Sequence, residues 1–88
     1  MNKYFALRKT NRMRTELLTE KSQEQLKEVI RYLRRVSWDF CGIELVRSDL
    51  LDIAIQANKE NQELFYSISD AKTFVEEVKP SLKTLRAG

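Results

Sequence analysis

At 88 residues, with 16 basic and 13 acidic side chains, no histidine and a formal charge of +3, the chain makes one domain around a single modest core. Its apolar fraction of 42% is too high for a disordered chain, and no apolar run approaches the ~20 residues that a membrane span needs. The lone cysteine, Cys41, cannot form an internal disulfide, and after Lys3 only four apolar residues precede Arg8, too few for a secretory segment, so the expected setting is cytoplasmic.

Charge is uneven along the chain. Residues 1–35 hold ten basic and four acidic side chains, residues 36–88 six basic and nine acidic. Either the basic half folds against the acidic half, or the amino-terminal third meets an anionic partner.

The first helical segment covers residues 2–18. Tyr4, Phe5, Leu7, Met13, Leu17 and Leu18 share no narrow face, and Arg8, Lys9, Arg12 and Arg14 crowd its middle. It reads as two short pieces or as a helix that orders on docking. The second runs from Ser22 to Phe40, with Ser22 and Gln25 spaced as a capping box. Leu26, Val29, Ile30, Leu33, Val36 and Phe40 repeat at helical spacing, Lys27, Arg31, Arg34 and Arg35 lie opposite, and Gly42 reads as the stop.

The third helix spans residues 42–57 and is apolar on more than one side. Ile43, Val46, Leu50, Ile53, Ala54 and Ala57 form one face, Leu45 flanks it, and Leu51 with Ile55 lies on the far side. Such a helix must be covered nearly all round. Leu51 and Ile55 therefore need either the amino-terminal segment or a second molecule, and with Trp38 they are the candidate interface residues.

Residues 59–63 read as a polar connection and residues 64–68 as a short apolar return into the core. The fourth helix starts with Ser69 or Asp70 as N-cap and aligns Ala71, Phe74, Val75, Val78, Leu82 and Leu85. Pro80 predicts a kink or a restart, because it removes a backbone donor and clashes one turn back. With no sustained period-two alternation, the fold class is all-α, a compact four- to five-helix bundle or helical superhelix forming a single domain over residues 1–88.

The absence of histidine removes the usual neutral-pH base and the commonest metal ligand, and no glycine-rich loop exists to cradle phosphate. Asp49 and Asp52, on neighbouring turns with Gln56, read as a solvated or salt-bridged strip, since a hard cation needs more converging oxygens. Cys41 reads as core. No catalytic residue, metal or cofactor is expected, and an enzyme is not. Lys27, Arg31, Arg34 and Arg35, with Trp38 in the same sector, could grip phosphates and stack a base. A helix-turn-helix reading fails, because the following helix presents Glu44, Asp49 and Asp52 with Arg47 its only cation, and would repel a duplex.

The runs Ile30-Arg31-Tyr32-Leu33, Leu50-Leu51-Asp52-Ile53-Ala54 and Ile68-Ser69-Asp70-Ala71-Lys72-Thr73-Phe74-Val75-Glu76-Glu77-Val78 resemble a family of small all-helical bacterial proteins, domain of unknown function 1048, over about residues 22–80. The chain has Asn58-Lys59-Glu60-Asn61, and then Ser69, where that family often has glycine. The resemblance implies a helical bundle or superhelix without known catalytic activity, encoded beside PadR-like regulators, and it transfers no functional residue. Short basic immunity proteins of bacteriocins are similar in size and architecture only. The expected function is protein–protein contact, as a homodimer or a regulatory accessory. The basic residues Lys27, Arg31, Arg34 and Arg35 would steer an acidic partner, with nucleic-acid binding and an immunity-type role as alternatives.

Overall fold

The computed structural model describes residues 3–65 and 68–82. Its helices are α1 (Lys3–Thr15), α2 (Glu20–Val36), α3 (Phe40–Lys59) and α4 (Ile68–Val78), followed by a 3₁₀ turn at Lys79–Ser81. No strand occurs among the described residues, and the fold is all-α. The helices pack α1 against α3, α3 against α2, and α2 against α4, giving a flat body of 40 × 36 × 15 Å.

The cap of α2 lies three residues before the expected Ser22. Thr19, in extended conformation, accepts the Ser22 N–H at 3.2 Å, which satisfies one of the free donors of the first turn. Ser22 is then free for another task and is completely buried. From it, Leu26, Val29, Ile30 and Leu33 form the buried stripe. The helix ends at Val36, not Phe40, because Asp39 starts the next one by accepting the Gly42 N–H at 3.0 Å. Gly42 thus lies in the first turn of α3 rather than stopping α2, and Phe40 is exposed.

α3 is the centre of the fold. Its buried residues are Ile43, Glu44, Val46, Leu50, Leu51 and Ala54, an arc displaced toward the Leu51 side at about 100° per residue. Leu45 and Ile53 are left in solvent. The displacement has one cause. α1 lies along the Glu44–Ser48–Asp52 side of α3, joined by Asn11 to Glu44 and by Arg14 to Ser48 and Asp52. These pairings advance together along both helices, so α1 and α3 point the same way. The amino-terminal segment is one continuous helix lying beside the Leu51 side of α3, and Leu18, just past its end, joins the same core as Leu51.

α3 closes on Asn61, whose φ of 62° is the left-handed value at which helices commonly stop. The Gln62 N–H donates to the Ala57 carbonyl at 2.8 Å and the Asn61 N–H to the Asn58 carbonyl at 3.1 Å. Asparagine takes the place glycine usually fills. The chain then returns as expected, with Leu64 and Phe65 buried, and Gln25 grips the Phe65 backbone through both its amide nitrogen and oxygen, each at 3.1 Å. Tyr66 and Ser67 lie outside the described residues, as does Leu85.

α4 starts at Ile68, ahead of the expected Ser69 or Asp70 cap, and packs Ala71, Phe74, Val75 and Val78 on the core. Phe74 meets Phe65 at 5.9 Å between ring centres. The helix stops before Pro80, which occupies the 3₁₀ turn, and Leu82 returns to the core beyond it. Among the described residues the helix neither kinks nor restarts at the proline: it ends, and Leu82 leaves the 3₁₀ turn in extended conformation.

A candidate anion-binding groove between α1 and α2

α1 and α2 both flank α3, and the space between them is a groove. Its narrower part, about 380 Å³, is lined by Arg8, Arg12 and Glu16 of α1, by Arg34 of α2 and by Arg47 of α3. A wider part of about 540 Å³ continues from it past Glu24, Lys27 and Arg31. The two share Thr15, Arg34 and Arg47, so they form one continuous cleft. Six cations line it against the carboxylates of Glu16 and Glu24. Each helix supplies its cations by simple spacing: Arg8 and Arg12 are one turn apart, and Lys27, Arg31 and Arg34 follow one strip of α2.

Arg47 is the most enclosed of these cations, its side chain 21% exposed. Glu44, buried beneath it, meets the guanidinium at Nε across 3.2 Å. That contact is not aligned as a hydrogen bond, and Nε is a buried donor without an acceptor. Glu44 is held in turn by Asn11, whose Nδ2 donates to its carbonyl at 3.0 Å and to Oε1 at 3.2 Å. Burial lowers the Arg47 pKa from its ordinary value, Glu44 opposes that, and the charges of Arg34 and Arg8 lower it further. The cations of the groove are thus close enough to repel one another.

The expected residues fall into three groups. Lys27, Arg31 and Arg34 line the groove, with Arg31 also 3.5 Å from Glu28. Arg35, one residue beyond the strip, is exposed and lines neither part. Trp38 is 52% exposed on the α2–α3 link. Leu51 is corrected as an interface residue: it is 0% exposed, inside the core of the chain itself. Ile55 is half-buried against the same core. Cys41 is corrected from core to exposed, since the Asp39 cap starts α3 earlier and turns its first residues outward.

Arg8, Arg12 and Arg47 complete the groove and were not singled out from the sequence as partner contacts. The Glu44–Arg47 spacing of three is the signal that could have found Arg47. Asp52 is paired with Arg14, and Asp49 is exposed. Among the described residues, no group of three or more metal-ligating side chains converges, and no helix is long and apolar enough to cross a membrane. A second cleft, about 440 Å³, lies between α2 and α4 along Val29, Tyr32, Ala71 and Val75. Comparison with protein-family models, curated proteins and solved structures found no match to the chain.

Proposed function

We propose that the chain is a helical interaction module that takes an acidic segment of a partner protein into the α1–α2 groove, as a cytoplasmic regulatory accessory rather than an enzyme. The observation that carries this reading is the charge of the groove, six cations from three helices facing two carboxylates. Clustered like charges in a concave site raise the local potential, and an anionic partner relieves it. The likeness to the domain of unknown function 1048 family fits an accessory role, and an immunity-type role is the alternative among protein-binding readings.

A protein segment is favoured over nucleic acid for two reasons. A cleft between adjacent helices admits a single extended chain but not a duplex. Single strands are held by stacking on aromatic rings, and among the described lining residues of the groove none is aromatic. A second copy of the chain is the alternative protein partner, supported by the exposed Trp38, Phe40 and Leu45 around the start of α3.

Fluorescence anisotropy with a labelled glutamate-rich peptide, a single-stranded DNA and a duplex, each across a salt series, tests the reading. The peptide binds at low ionic strength, binding weakens with salt, and R31E/R34E abolishes it. No peptide binding at low salt, or binding of DNA alone, overturns the proposal. Light scattering across concentration checks the second-copy alternative, for which the mass would double and W38A would restore the monomer.

A further inference from the structure

The narrower part of the groove, at the α1 end, is built differently from the rest. Arg8 and Arg12 enter it from α1, Arg34 from α2 and Arg47 from α3, with Thr15 and Glu16 at its rim. Arg47 is fixed from behind. Glu44 meets it at Nε, so the terminal nitrogens are not the ones spent on that carboxylate. Asn11 holds Glu44 through two hydrogen bonds, and the whole support is buried. Guanidinium groups approaching from three directions suit a ligand that offers oxygens in three directions.

A carboxylate is planar and carries one charge, so it satisfies one fork fully. A phosphoryl group is tetrahedral, carries roughly −1.5 to −2 charge at neutral pH and presents three acceptor oxygens. We propose that the Arg8–Arg12–Arg34–Arg47 end of the groove is a phosphoryl subsite, which binds a phosphorylated side chain of the partner segment while Lys27 and Arg31 hold its flanking acidic residues. This rests on the reading that the groove takes an acidic protein segment, and adds the group that segment must carry. Arg47 is held charged against burial first of all, with the charges of Arg34 and Arg8 adding to the cost, and a dianion seated among the three would relieve that repulsion.

Three versions of one acidic peptide, with serine, glutamate or phosphoserine at a central position, test the subsite, alongside inorganic phosphate. Affinity is read by calorimetry, and site occupancy by the arginine Nε–Hε resonances in NMR. The phosphoserine peptide binds about tenfold tighter than the glutamate peptide, or about 1.4 kcal/mol, and moves the Arg47 and Arg34 resonances. R8Q/R34Q, two exposed changes, removes that preference and keeps the fold, while R35Q retains it. Movement of the same resonances by inorganic phosphate at equal concentration, with no advantage for the phosphopeptide, assigns the subsite to the free ion and overturns the peptide assignment. Equal affinity of the three peptides, with no response to phosphate, overturns the subsite and leaves the acidic-segment reading intact. Failure of all three peptides to bind overturns both.

Discussion

Asn11 of α1 donates from Nδ2 to both the backbone carbonyl and the side-chain Oε1 of Glu44 in α3, and both residues are almost completely buried. Asn11 is the buried residue of α1, while Phe5 and Met13 of the same helix face solvent. α1 is therefore docked by a polar contact and by Arg14, with Leu18 as the apolar anchor beyond its end. Asn11→Ala leaves Glu44 short of two donors and costs about 1–3 kcal/mol. Glu44→Ala strands the enclosed Arg47 and costs more, about 3–5 kcal/mol. Urea denaturation measures both, and a double-mutant cycle that adds without coupling would refute the linkage.

Leu51 and Leu45 lie on opposite sides of α3, one 0% and the other 59% exposed. Leu51→Ala opens a cavity in the core and costs about 2–5 kcal/mol. Leu45→Ala touches nothing enclosed and changes stability by less than about 0.5 kcal/mol. The contrast also tests whether α1 is the cover of Leu51. If deleting residues 1–15 leaves the cost of Leu51→Ala unchanged, α1 is not the cover.

Where one periodicity governs an element, the sequence was enough to place it. The Leu26–Leu33 stripe of α2 and the Ala71–Val78 stripe of α4 are legible because apolar positions recur at a single phase. The boundary at Phe40 was not. Phe40 continues the phase of α2, but the Asp39 carboxylate caps α3, a choice that depends on which turn forms rather than on the apolar pattern. The groove was half legible. Lys27, Arg31 and Arg34 form a visible stripe, whereas Arg8, Arg12 and Arg47 join them only once α1 and α2 both pack against α3. Leu51 was misplaced for the same reason, because the helix beside its side of α3 is anchored there by an asparagine and an arginine, outside any hydrophobic pattern.

Gly42 lies in a close approach of Asp39 and Leu82 rather than at a helix stop. A Cβ there would come within 2.8 Å of Leu82 Cδ2 and within hard contact of the Asp39 carboxylate that caps the helix. Alanine is the better helix former, and on propensity alone Gly42→Ala would stabilise α3 by about 0.8–1 kcal/mol. Instead it displaces the cap, worth about 0.5–2 kcal/mol, and pushes Leu82 out of the core. The expected net effect in thermal unfolding is a lower Tm. A raised Tm would show that Asp39 and Leu82 move aside freely.

Glu63 ties the start of α2 to the end of α3. The hydroxyls of Thr19 and Ser22 both donate to its Oε1, the latter at 2.7 Å, while Ser22 Oγ accepts from the Leu64 N–H at 3.1 Å and from Asn58 Nδ2 at 3.0 Å. The Thr19 hydrogen bond, then that of Ser22, holds the Glu63 carboxyl below its ordinary pKa. A carboxylate with a depressed folded-state pKa binds fewer protons folded than unfolded, so its contribution is complete above the ordinary carboxylate range. It is lost as pH falls through the folded value. The Tm difference between the wild-type chain and Glu63→Gln is therefore largest near neutral pH and shrinks on acidification, as Glu63 itself becomes neutral. Ser22→Ala, which removes an acceptor from the buried Leu64 N–H, lowers stability by about 1–3 kcal/mol at neutral pH. A Tm difference for Glu63→Gln that stays constant from neutral pH to well below the carboxylate range would show that the two hydroxyls do not select the charged form.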